Sequence, residues 1–123
     1  MIVSKLTGRR VLVVEDEILI AVMIEEVLLD LGCIVVGPIG KLEAAMQLAR
    51  DEALDMAILD VSIRGGYVYP VAERLLARDI PIILASGYGG WALPENLRDQ
   101  PRLTKPFTTQ ELESQIRACC RQV

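Results

Sequence analysis

The chain contains no histidine, so no imidazole is available as base, nucleophile or metal ligand. Zinc motifs built on histidine and the Ser-His-Asp arrangement are both excluded at once. Aromatic residues make up only 4% of the 123 residues, so the core must be packed with aliphatic side chains. There is no excess of basic charge. Thirteen Lys and Arg stand against 17 Asp and Glu, for a net charge of -4, and a nucleic-acid binder needs the opposite balance to displace counterions from phosphate. No long apolar run occurs either. Ile18 to Ile24 falls far short of the ~20 residues of a membrane span. The three cysteines, Cys33, Cys119 and Cys120, are an odd count, and adjacent cysteines rarely bridge. Without a signal-peptide pattern, the expectation is a reduced, cytoplasmic protein in which they serve as packing residues. With 52% hydrophobic and 24% charged residues, the composition is that of one ordinary globular domain.

Strand and helix patterns alternate along the chain without a linker. Arg10 to Val14 is a short apolar run rich in β-branched residues, which suits a strand buried on both faces. Glu17 to Leu31 has helical spacing, with Ile20, Ile24, Val27, Leu28 and Leu31 on one face, and Gly32 ends it. Cys33 to Val36 reads as a strand closed by Gly37-Pro38, Lys41 to Arg50 as a helix, and Met56 to Leu59 as a strand running into Asp60. A glycine loop at Gly65-Gly66 precedes a helix from Pro70 to about Arg78, with Val71, Ala72 and Leu75 facing inward. Ile80 to Ala85 is the fourth strand and Arg102 to Thr104 the fifth. Between them, Gly87, Gly89, Gly90, Pro94 and Pro101 leave room for one helical turn around Pro94 to Arg98, so the fourth helix is expected to be short or disordered. Thr108 and Glu111 form a capping-box pattern before a last helix whose buried stripe is Leu112, Ile116 and Cys119. The expected fold is α/β: a doubly wound, five-stranded parallel sheet with a core from about residue 9 to 121 and no output domain.

Ligands of such sheets bind at the carboxyl ends of the strands. Glu15, Asp16 and Glu17 follow the first strand, Asp60 ends the third, Ser86 follows the fourth and Lys105 the fifth. Each alone has a plain explanation: Glu17 as a first-turn acid favoured by the helix dipole, Asp60 as a turn residue, Lys105 as a solvated charge. Together they are more informative. Carboxylates crowded at one edge need a counter-charge, and a hard divalent cation such as Mg2+ supplies it through oxygen ligands. With Mg2+ seated, Asp60 can serve as nucleophile toward phosphorus, Lys105 can neutralise the phosphoryl group, and Ser86 can donate a hydrogen bond to it.

Val11 to Glu17 (VLVVEDE), Leu59-Asp60-Val61, Ala85-Ser86-Gly87 and Thr104-Lys105-Pro106-Phe107 resemble the receiver domain of two-component response regulators over essentially the whole chain. That resemblance implies a flavodoxin-like strand order, 2-1-3-4-5, the order also of the chemotaxis receiver. It implies Asp60 as phospho-acceptor, with Glu15, Asp16, Asp60 and the backbone carbonyl of Ser62 as ligands of Mg2+. It makes Ser86 the switch hydroxyl and Lys105 the phosphoryl partner, with a cis peptide before Pro106. The stretches Asp60 to Gly65, Tyr69 to Ala72 and Ile82 to Gly89 (IILASGYG) are similar to the narrower FATGUY-type single-domain receivers, although Leu84, Ser86 and Gly89 depart from that signature.

The fifth strand lacks the aromatic that most receivers place before the lysine, having Arg102, Leu103 and Thr104 instead. The aromatic relay is thus either absent or supplied by Tyr88 or Trp91, and order and disorder of the Gly87 to Pro101 loop is the expected switch. Ile18, Val22 and Leu29 form a second apolar edge on the first helix, where the resemblance implies docking of a histidine kinase or histidine phosphotransfer protein. The expected function is a stand-alone receiver in a Mg-dependent phosphorelay, a monomer or weak dimer with no nucleic-acid or membrane partner. It is not an enzyme beyond self-catalysed phosphoryl transfer and slow autodephosphorylation. A pseudo-receiver acting by contacts alone is the alternative. A flavodoxin-like cofactor binder is a poorer one, because the Glu15-Asp16-Glu17 loop repels phosphate and no GxGxxG occurs.

Overall fold

The computed structural model describes residues 5–87 and 93–120. Seven strands appear among them: β1 (Arg10–Val14), β2 (Ile34–Ile39), β3 (Met56–Asp60), β4 (Ser62–Ile63), β5 (Gly66–Tyr67), β6 (Ile82–Ser86) and β7 (Arg102–Thr104). The helices are α1 (Ile18–Asp30), α2 (Leu42–Asp51), α3 (Tyr69–Ala77) and α4 (Thr109–Cys120). Five strands form one parallel sheet in the order β2-β1-β3-β6-β7. Counted within that sheet alone, the order is 2-1-3-4-5, as expected.

Strand alternation divides the core in two. Val11, Val13, Ile58, Ile83 and Leu103 point to one face, where Ile24 and Leu28 of α1 and Leu112 and Ile116 of α4 cover them. Leu12, Val14, Leu59 and Leu84 point to the other, under Ala45 and Ala49 of α2 and Val71 and Leu75 of α3. Both faces of β1, β3 and β6 are therefore buried, which is why these strands read as continuous apolar runs. Cys33, Cys119 and Cys120 are free and buried in the first layer. Burial, followed by the neighbouring Cys120, pushes the Cys119 thiol up to about 11, so it packs as an apolar side chain rather than reacting as a thiolate.

Two helix ends follow their local sequence closely. α1 ends in a left-handed Gly32 (φ 87). The Gly32 N–H donates to Leu29 O at 3.0 Å and the Cys33 N–H to Leu28 O at 2.9 Å, satisfying two end carbonyls. α4 opens on the expected reciprocal cap: Thr108 N–H donates to Glu111 Oε1 at 2.9 Å, and Glu111 N–H to Thr108 Oγ1 at 3.0 Å. Thr108→Ala should therefore cost about 1 kcal/mol in urea unfolding, with Thr108→Ser retaining most of it. An unchanged midpoint for the alanine variant would leave the cap without energetic weight.

Three features differ from expectation. β2 does not stop at Gly37-Pro38 but runs to Ile39, with a cis peptide at Gly37-Pro38. The register against β1 slips between Leu12 and Val14, and the Glu15 N–H donating to Ile39 O at 2.9 Å resumes the ladder beyond it. An edge strand accommodates such an interruption because one side needs no partner. The glycine loop after β3 is a small hairpin, with Ser62 opposite Tyr67 and Ile63 opposite Gly66. Positive φ at Gly65 and Gly66 permits so tight a reversal. β6 begins at Ile82 rather than Ile80. Between β6 and β7 the described residues hold a single 3-10 turn, Glu95–Leu97, anchored by buried Leu93 and Leu97. Tyr88 and Trp91, together with most of the first half of the proposed switch loop, lie outside the described residues.

Candidate functional site

The same alternation that sorts the core also collects the site. Glu15 continues the side of β1 that carries Val11 and Val13, Asp60 the side of β3 that carries Ile58, and Lys105 the side of β7 that carries Leu103. Register aligns them as well. Val14 pairs with Leu59, so Glu15 and Asp60 leave the sheet side by side. Ser86 pairs with Thr104, and the Lys105 N–H donates to Ser86 O at 2.7 Å. Two acids and one lysine thus meet at the carboxyl edge on the α1 and α4 face.

Carboxylate oxygens of Glu15, Asp16 and Asp60 lie within 4.8 Å of one another. Glu15 is 3% and Asp60 6% exposed, whereas Asp16 is half-buried. Gly40 lets the end of β2 pass against Asp16: a Cβ there would come within 3.2 Å of Asp16 Cα and Cβ. Lys105 Nζ stands 3.0 Å from Asp60 Oδ2, 2.9 Å from Glu15 Oε1 and 3.1 Å from Glu17 Oε1. The contacts with Asp60 and Glu17 are hydrogen bonds. The one with Glu15 Oε1 is at ion-pair distance, but that buried oxygen receives no directed hydrogen bond among the described residues. Asp60 Oδ1 accepts from the Ser62 N–H at 3.3 Å, and Glu15 Oε2 from the Glu17 N–H at 3.0 Å.

One ammonium cannot balance this many carboxylates. Burial pushes Glu15 up to about 7, and the neighbouring charge of Asp60 adds to the rise, against the opposing Glu17 N–H and Lys105. Burial would lower Lys105, but its contacts with Glu15 and Asp60 outweigh that and raise it above the ordinary lysine value. An all-oxygen donor set with a buried oxygen lacking a hydrogen bond fits a hard divalent cation, which satisfies both the charge and the orphaned acceptor. A cleft of about 440 Å3, lined by Glu15, Asp16, Ile18, Val22, Lys41 and Arg64 among others, opens beside these acids.

Glu15, Glu17, Asp60 and Lys105 are in contact at this edge, Asp16 lies beside them, and Ser86 ends β6 there. Glu17 is the residue whose part the sequence reading missed. Expected to serve the helix start, it makes no capping hydrogen bond and points instead at Lys105. Lys105-Pro106 is cis, as the resemblance implied.

Residues 11–117 match the response regulator receiver domain family. The chain belongs to that family. As a receiver it is a module of two-component signalling. The transcriptional regulatory protein PdtaR of Mycobacterium tuberculosis (strain ATCC 25618 / H37Rv) is 33% identical to this receiver over 108 residues, 85% of this chain and 53% of PdtaR. The chain thus spans about half the length of that curated relative. Among solved structures, that of SdrG from Sphingomonas melonis Fr1 superposes with a TM-score of 0.80 at 41% identity, covering 97% of this chain and 99% of that one. A BeF3-activated conformation of SdrG from Pseudomonas melonis Fr1 gives 0.74 at 40% identity, covering 92% and 96%. Among the described residues, no helix is long and apolar enough to cross a membrane.

Proposed function

We propose that this receiver takes a phosphoryl group from the phosphohistidine of a histidine kinase or phosphotransfer protein onto Asp60. The observation that carries this reading is the placement of Asp60: its Oδ2 is 3.0 Å from Lys105 Nζ, and two further carboxylates have oxygens within 4.8 Å. Glu15, Asp16, Asp60 and the backbone carbonyl of Ser62 are the residues that would hold Mg2+. Bound Mg2+ supplies the positive charge that lets a phosphoryl group approach an acidic site. In transfer, an Asp60 oxygen forms the new O–P bond while the N–P bond of the donor breaks, its electron pair returning to the imidazole. Lys105 pairs with a phosphoryl oxygen, and the Ser86 hydroxyl donates to another. That pull on Ser86 passes the change to the chain after β6.

Ile18 (77%) and Val22 of α1 are exposed and line the cleft, and Leu19 and Leu29 are exposed on the same helix, which supports docking of the phosphodonor protein there. The IILASGYG stretch supports the narrower FATGUY-type assignment, and the BeF3-activated form of SdrG supports activation by phosphorylation. The decisive experiment is incubation with a small phosphodonor, with and without Mg2+, read by intact mass. Wild type should gain one phosphoryl group only with the metal, and Asp60→Asn should gain none. Uptake by Asp60→Asn equal to wild type would place the acceptor elsewhere.

A further inference from the structure

Glu17 has no part in the chemistry described above, yet it holds the lysine on which that chemistry depends. We propose, resting on the receiver reading, that Glu17 is a positioning residue that restrains Lys105 until phosphoryl transfer and thereby sets how fast Asp60 is phosphorylated.

An ammonium has three N–H donors to distribute. Here the directed hydrogen bonds go to Asp60 Oδ2 at 3.0 Å and Glu17 Oε1 at 3.1 Å. Glu15 Oε1 is at ion-pair distance, 2.9 Å, with no directed hydrogen bond among the described residues. Glu17, a solvated carboxylate, thus holds one of the lysine's directed hydrogen bonds beside two buried acids. The side chain of Glu17 is 60% exposed, against 1% for Glu15 and 7% for Asp60. Exposed ion pairs are weak, because water replaces either partner at little cost. Of the three acids facing Lys105, Glu17 is therefore the one released when phosphoryl oxygens arrive. Glu17 is not required for the start of α1 either, since its side chain makes no capping hydrogen bond and its own N–H is satisfied by Glu15 Oε2. What remains for the carboxylate is to compete for the lysine.

Length and charge can be separated. Glu17→Gln keeps the length and removes the charge, whereas Glu17→Asp keeps the charge but is one methylene too short to hold Nζ at 3.1 Å. Both should be phosphorylated by phosphoramidate with Mg2+ about two- to fivefold faster than wild type, the range that release of an exposed ion pair allows. In both, the 15N resonance of the Lys105 ammonium should exchange faster with water. Acceleration in Glu17→Gln alone, with Glu17→Asp matching wild type, would reduce the effect to charge repulsion of the donor and overturn the restraint. Unchanged rates in both variants would overturn it as well. Wild-type protein that takes up no phosphoryl group would instead bring down the receiver reading itself, and the inference with it.

Discussion

Lys105→Ala should lose about 3–5 kcal/mol of stability in metal-free buffer at pH 8, the cost of breaking a buried ion pair from one side. The lysine side chain is 11% exposed and lies within 3.1 Å of three carboxylates, two of them buried. Without it, Glu15 and Asp60 face each other across a desolvated edge, with only backbone N–H groups from Glu17 and Ser62 as hydrogen-bond donors among the described residues. Two conditions should restore what the substitution removes. Acid does so by protonating the carboxylates, so the loss should shrink toward pH 5. Saturating Mg2+ does so by placing charge among them. Urea titrations at both pH values, with and without the metal, separate this from packing. A loss of equal size in all four conditions would show that the stem of Lys105 matters rather than its ammonium.

A short run of apolar, β-branched side chains is a local signal. In β1, β3 and β6 it marked the strands, and with them the strand ends at which Glu15, Asp60 and Ser86 stand. The Thr108 and Glu111 cap was legible for the same reason, since both partners lie within one helical turn. Glu17 was not legible, because its partner is 88 positions away and becomes a neighbour only when β7 joins the sheet. In the local sequence it is indistinguishable from any first-turn acid. β2 was cut short at Gly37-Pro38 because both residues usually end strands. The bulge against β1, which lets the chain resume pairing at Ile39, depends on a neighbour that the local sequence does not contain. The hairpin after Asp60 lay in between: Gly65-Gly66 signalled a reversal, but pairing as short as β4 with β5 has no periodicity to detect.

Metal-free wild type should become less stable as pH rises from about 5 to 8, the reverse of what a salt-bridged carboxylate of lowered pKa produces. Glu15 rises from 4.5 to about 7 on folding, chiefly through burial. Between those values the native state holds a proton that the unfolded chain has lost. The contribution is therefore fully present below 4.5 and disappears as pH passes through 7. At about 1.4 kcal/mol per pKa unit, it amounts to about 3 kcal/mol at most. Lys105, raised in turn, stays charged over this window and adds no slope. Metal binding should run the other way, since only ionised Glu15 is a good ligand. Affinity for Mg2+ should strengthen through neutral pH, and binding near pH 6.5 should release protons. Glu15→Gln should flatten the stability profile and weaken Mg2+ about tenfold or more, while leaving the sheet intact because the amide oxygen can still accept from the Glu17 N–H. Calorimetric titration in two buffers of different ionisation enthalpy measures the released protons directly. Proton release unchanged in Glu15→Gln would assign the titrating group elsewhere in the cluster, with Asp60 and Asp16 the next to substitute.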